Sequence, residues 1–196
     1  MRLNYIGIIG GILAFIILAL PWWTLTLSGQ AMGIPISADF SVYPYKGAVS
    51  FMGFSMDIPM NVWFGSTALV LVILGGILGI VGSIILDKGK AVLAIGGVLT
   101  LLSIIVFATG LQSEFSKAEG FSIPIPAGGG SLEIPAIGLF SSGTWDIMGT
   151  TVNYSSYLSF GFWLALIAAI IIFAAVKKAV PAAVAPTPAT PPPPPP

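Results

Sequence analysis

The chain has no cysteine and no histidine, and only 7% of its residues are charged. Without cysteine there are no disulfides, no thiolate nucleophile and no thiolate metal ligand. Without histidine, the commonest general base and the commonest transition-metal ligand are both missing. Haem or copper would have to be held by Met, Tyr or carboxylates. No nucleophile–base pair can be named, so no catalytic residue, metal site or cofactor is expected. The formal net charge is zero, which gives the whole chain no electrostatic pull on nucleic acid. Ordinary soluble domains carry about a quarter charged residues, so the shortage of charge already bears on class.

The few charges are excluded from four apolar runs, Tyr5–Trp23, Val62–Leu86, Ala91–Leu111 and Tyr157–Val176. Each is close to the ~20 residues that a helix needs to cross a ~30 Å hydrocarbon layer. A mean hydropathy of +1.02 and 56% hydrophobic residues point the same way. The alternative, a soluble protein with four deeply buried helices, fits worse because such helices are shorter. The expected fold is an all-α membrane protein: a four-transmembrane-helix bundle with a small β-rich extracytoplasmic cap. Residues 1–27 hold the N-terminus and first span, 28–61 the first outer loop, and 62–111 two spans joined by a hairpin at 87–90. Residues 112–156 form the second outer loop, 157–176 the fourth span and 177–196 a Pro-rich tail. Read as a signal peptide, the first run would be cleaved near Gly29 and Ala31, but that pair lies far beyond its apolar core.

Charge sign sets the expected orientation. Arg2, Lys88, Lys90, Lys177 and Lys178, with Asp87, fall in the segments that four spans would place on one side. The two long segments on the other side carry Asp39, Asp57, Glu114, Glu119, Glu133 and Asp146 against Lys46 and Lys117. Lys and Arg near span ends stay cytoplasmic. A multi-pass cell-membrane protein is expected, with both termini cytoplasmic and both long loops outside. Trp22, Trp23, Trp63, Tyr157 and Trp163 would then mark the outer interface, where amphipathic rings are favoured.

Small residues recur at helical spacing in every run: Gly7 and Gly11; Gly75, Gly79 and Ser83; Gly96 with Gly97, Thr100 and Ser103; Gly161, Ala165 and Ala169. In lipid such stripes mark close backbone contacts. They predict internal packing, with a homodimer or partner face as the alternative. Pro21 is expected to kink the outer end of the first helix. No ionisable residue lies inside a run, and Thr100 and Ser103 can bond back to their own helix. Nothing resembles a relay or a substrate counter-charge.

The outer segments alternate. Phe54, Met56 and Ile58 share one face of one stretch, and Phe121, Ile123 and Ile125 share one face of another. Their prolines predict edge strands or irregular hairpins. Phe54, Met56, Ile58, Phe121, Ile123 and Trp145 are the outer-loop interaction candidates. Gly33–Ser37 echoes Ser122–Pro126, and Ser55–Pro59 echoes Ser131–Pro135, which raises a parallel duplication. Asn153-Tyr154-Ser155 fits the N-glycosylation acceptor pattern. Asp57, Glu133 and Asp146 lack calcium-loop spacing and read as solvated strand residues.

From Ala179 the chain is rich in proline and ends in Pro191–Pro196. It is expected to be a disordered or polyproline II spacer, with an aromatic groove as the alternative partner. The layout of four spans, two outer loops and cytoplasmic termini resembles the arrangement of claudins and tetraspanins; Pro21-Trp22-Trp23 at the end of the first span is too short a motif to add to it. Those families rely on outer-loop cysteines, which this chain lacks, so no family is assigned. The functional expectation is a non-enzymatic accessory subunit or surface scaffold. Its partners would be the lipid bilayer and another membrane protein or a second copy, with no nucleic acid. The alternative is a small transporter or an oligomeric pore component.

Overall fold

The computed structural model describes residues 3–31, 34–51, 53–58, 62–85, 89–117, 121–124, 131–134, 138–147 and 150–178. In chain order these form α1 (Tyr5–Ile16) with a 3-10 turn (Ile17–Ala19), then β1 (Trp23–Ala31), β2 (Ile34–Val42), β3 (Gly47–Phe51) and β4 (Phe54–Ile58). There follow α2 (Trp63–Ile84), α3 (Gly89–Lys117), β5 (Phe121–Pro124), β6 (Ser131–Ile134), β7 (Ser141–Ile147), β8 (Thr150–Leu158) and α4 (Phe160–Lys178). Six strands make one antiparallel sheet in the order β4-β3-β2-β1-β8-β7, and β5 pairs with β6 separately. The helices contact in the cycle α1-α2-α3-α4, with α4 returning to α1. Arg2, the hairpin residues 86–88 and the tail beyond 178 lie outside the described residues.

This architecture corrects the expected all-α bundle with a small cap. The sheet is a major layer, with nine-residue strands at β1, β2 and β8. Three helices, Trp63–Ile84, Gly89–Lys117 and Phe160–Lys177, are long and apolar enough to cross a membrane. The first run is not a span from Tyr5 to Trp23. Its α-helix has 12 residues and its 3-10 turn three, about 24 Å of rise together, short of a ~30 Å hydrocarbon layer. Tyr157, placed at the head of the fourth span, belongs to β8.

Pro21 explains where the first helix stops. In an α-helix the N–H at position 21 would donate to the Ile17 carbonyl, and proline has none. Proline also drives its predecessor out of the helical region, and Leu20 is extended at φ −107°, ψ 147°. The Ile17 carbonyl accepts instead from the Leu20 N–H at 3.2 Å, closing the 3-10 turn. It also accepts from the buried indole Nε1 of Trp22 at 3.2 Å. The chain then joins the sheet: the Trp22 N–H donates to the Val42 carbonyl at 2.8 Å, and the Trp22 carbonyl accepts from Ser159 N–H at 2.9 Å. Gly161 N–H reaches the Pro21 carbonyl at 2.9 Å. Trp22 and Trp23 are therefore buried at the helix–sheet junction, not set out at an interface.

Glycines let the helices close on one another. A methyl on Gly75 would fall 2.8 Å from the Gly96 carbonyl oxygen, and one on Gly11 2.7 Å from that of Gly76. On Gly96 it would lie 2.9 Å from the Gly75 oxygen, whereas on Gly79 the nearest atom is the flexible Ile172 Cδ1 at 3.2 Å. A methyl on Gly7 would collide with Ser83 Oγ, and on Gly161 it would fall 2.6 Å from Trp22 Cδ1. Ala165 and Ala169 are buried on α4. The buried hydroxyls of Ser83, Thr100 and Ser103 donate to the carbonyls of Gly79, Gly96 and Thr100 at 2.6, 2.9 and 2.6 Å. The outward faces are branched and apolar: Ile9, Ile12, Val70, Leu74, Ile77, Ile95, Val98, Leu102, Ile105, Ile167 and Ile170 are exposed.

The 29-residue α3 is about 44 Å long, more than a ~30 Å layer needs. Its last turns back the sheet. Phe107 and Leu111 are buried, Phe107 meets Trp22 with ring centroids 5.0 Å apart, and Phe115 meets Trp23 at 5.0 Å. The opposite end is tied by Asn4, whose Nδ2 donates to the Ala175 carbonyl at 2.8 Å and whose N–H donates to Ser83 at 3.2 Å.

Gly75→Ala should lower thermal stability in detergent by about 1–3 kcal/mol, the usual cost of overpacking. Gly79→Ala should cost less, because its nearest neighbours, Ile172 Cδ1 at 3.2 Å and Gly11 Cα at 3.3 Å, stand farther off than the Gly96 oxygen does from Gly75. At the junction, Trp22→Phe loses a buried hydrogen bond of about 1 kcal/mol. Trp23→Phe removes a buried indole N–H that has no hydrogen-bond partner among the described residues. Calorimetric or fluorescence melts should therefore rank Trp22→Phe as the more damaging of the two.

Candidate functional site

The sheet has two unlike faces because period-2 alternation sorts its side chains. Towards the helices point Trp23, Leu25 and Leu27 of β1, Phe40 and Val42 of β2, Val49 of β3, and Val152 and Leu158 of β8, all buried. The other face is polar. One row crosses all six strands: Ser142, Ser155, Thr26, Asp39, Ser50 and Ser55. The next row holds Thr144, Asn153, Ser28 and Ser37.

The apolar face is incompletely covered at the β4 edge. Val49 pairs with Met56, Phe51 with Phe54 and Gly47 with Ile58, so Phe54, Met56 and Ile58 continue the buried face outward. Ile58 packs against the core, but Phe54 is 82% exposed and Met56 52% exposed. Gly53, in the turn before them, has φ +88°, a left-handed conformation that glycine adopts without strain. The edge is pinned from the polar side. Lys46 Nζ lies 2.8 Å from Asp57 Oδ2 and stands over the rings of Tyr43 and Tyr45 at 5.3 and 5.8 Å. The hydrogen bond to Asp57 raises the Lys46 pKa above its ordinary value, desolvation opposes it, and the charge of Asp57 adds to the rise.

The other sequence candidates are scattered. Trp145, on the opposite edge strand β7, is half-buried and packs against the core. Asn153 is exposed on β8. Phe121 and Ile123 lie in β5, paired with Ile134 and Leu132 of β6, apart from the main sheet. Asp57 and Asp146 occupy opposite edges and Glu133 the separate hairpin. Among the described residues no group of acidic side chains could hold a metal. The helix-packing candidates Gly7, Gly11, Gly75, Gly79, Ser83, Gly96, Gly161, Ala165 and Ala169 are all buried and contribute nothing to a surface. The echoed segments do not occupy equivalent places: Ile34–Ser37 lies in β2 of the main sheet, whereas the described part of its counterpart, 122–124, lies in β5 of the hairpin. Pro35 is tolerated in an inner strand because, among the described residues, β3 pairs with β2 only as far as Ala38.

Sequence reasoning missed β1 and β8, two neighbouring inner strands of the sheet. The signal was present in Trp23-Thr24-Leu25-Thr26-Leu27-Ser28 and in Val152, Tyr154, Ser156 and Leu158, but an apolar run and a helix start had claimed their ends. Because the Lys46 pKa is raised in the fold, its stabilisation of the β4 edge is complete below the ordinary value of 10.5 and is lost as pH rises through the folded value. Hydrogen exchange at β4 amides, corrected for the intrinsic rate, should therefore accelerate above that pH in the wild type. Asp57→Asn should show the faster exchange already at neutral pH. No family model matches this chain, and no curated protein matches its sequence.

Proposed function

We propose that the chain is a non-enzymatic integral membrane protein that binds another membrane protein through the β4 edge of its sheet. The observation that carries this reading is the pair Phe54 and Met56, exposed beyond the covered part of an otherwise buried face. Single exposed apolar residues are ordinary, but adjacent ones on an open strand edge form a template for pairing. The helices favour the same conclusion. Their small residues already serve internal contacts, and their outward faces carry Ile, Val and Leu, which suit lipid better than close helix association. The buried hydroxyls bond to their own helices, which weighs against a solute path through one chain.

In this reading the sheet is extracytoplasmic and both termini are cytoplasmic. The contacts of Asn4 with Ser83 and Ala175 gather the start of α1 and the ends of α2 and α4 at one end. Lys90 and Lys177 are exposed there, and cytoplasmic retention of basic residues supports the assignment. Trp63, Phe160 and Trp163 are exposed at the sheet-proximal helix ends, where an aromatic belt would lie.

Two measurements test these proposals. A cysteine at Ser142 should react with a membrane-impermeant thiol reagent on intact cells, and one at Lys177 only after permeabilisation; the reverse pattern overturns the orientation. Replacing Phe54 and Met56 with Ser should remove co-purifying membrane partners by tenfold or more, normalised to inserted protein. Deleting Pro181–Pro196 should leave partners in place. Partner loss on tail deletion alone would transfer the recognition role to the polyproline segment.

A further inference from the structure

The acceptor pattern Asn153-Tyr154-Ser155 lies within β8, and the strand decides which way it faces. Asn153 and Ser155 are both exposed on the polar face, while Val152 and Ser156 are buried on the other. In register, Asn153 stands between Ser28 of β1 and Thr144 of β7. Ser155 stands between Thr26 and Ser142. Ser28, Thr144 and Ser142 are exposed, and all four neighbours are short hydroxyl residues that leave the amide accessible. At about 3.3 Å per residue, the strand carries Asn153 about 20 Å from the start of α4 at Phe160. Proximity in sequence to an apolar helix therefore does not crowd the acceptor. Among the described residues β7 is the outermost strand, so Asn153 is one strand, about 4.8 Å, from that edge of the sheet.

We propose that Asn153 carries an N-linked glycan that shields the β7 edge; this rests on the extracytoplasmic placement of the sheet. In the transfer, the Asn153 amide nitrogen bonds to C1 of the first sugar of a lipid-diphosphate-linked oligosaccharide. The C1–oxygen bond breaks, the lipid diphosphate leaves with the electron pair, and a base takes the amide proton. A bulky, hydrophilic chain here keeps other strands off an edge whose backbone groups are otherwise available for pairing. It leaves the opposite edge, with Phe54 and Met56, as the open contact surface.

The test is expression of the full chain in a host whose secretory pathway glycosylates, with mobility before and after N-glycosidase. One glycan is expected on the wild type, none on Asn153→Gln or Ser155→Ala, and one on Ser155→Thr. The wild type should also self-associate less in detergent than Asn153→Gln; equal self-association overturns the shielding role. No enzyme-sensitive shift on the wild type overturns the site. Gly129→Asn, which completes an acceptor with Gly130 and Ser131, and Pro188→Asn, which completes one with Ala189 and Thr190, then separate the causes. Modification of Gly129→Asn leaves the orientation standing and only the site fails. Modification of Pro188→Asn shows that the orientation falls with it.

Discussion

The fold turns on a missing N–H. Pro21 cannot supply the donor that would carry α1 onward, and the Ile17 carbonyl is satisfied by a 3-10 bond and by the Trp22 indole instead. That exchange ends the helix without stranding a buried acceptor, a cost of about 1–3 kcal/mol where it happens. It also frees the Trp22 backbone to bond on both sides, to Val42 and to Ser159. One residue thus joins the helical layer to β2 and to the end of β8. Gly161 must be glycine for the same reason, because the Leu20 and Pro21 carbonyls and the Trp22 ring pass against it.

The two layers are held by different physics. Among the helices, surrounded by apolar surface, close backbone approach at Gly11, Gly75, Gly76 and Gly96 supplies dispersion contacts that larger residues would prevent. In the sheet, alternation buries Trp23, Leu25, Phe40 and Val42 in one core with Phe107, Leu111 and Phe115 of α3 and turns hydroxyls outward. Phe107 and Phe115 connect the two, since each meets one tryptophan of the junction.

The two edges of the sheet differ in what they expose. At β4 the apolar face runs past its cover and an ion pair fixes the strand from behind. At β7 the corresponding apolar residue, Trp145, is drawn into the core, and the exposed side is a field of Ser, Thr and Asn. In the reading proposed here, the first edge takes the protein partner and the second is the one the glycan shields.

Sequence alone was enough to locate α2, α3 and α4, because twenty or more apolar residues without charge fit no common alternative to a helix that can cross a membrane. Glycine spacing also marked the residues that now lie at helix contacts. Alternation marked Phe54, Met56 and Ile58 as one face, but not that the first two would be left uncovered. The sheet itself was hidden. Trp23, Leu25 and Leu27 are as apolar as the helix before them, so hydropathy could not separate strand from span. Period 2 in β8 was masked by serines and tyrosines whose burial depends on neighbours from distant parts of the chain. Which strands pair, which edge stays open and which face receives α3 are long-range choices, set by burying both tryptophans of the junction at once; only the tertiary structure could decide them.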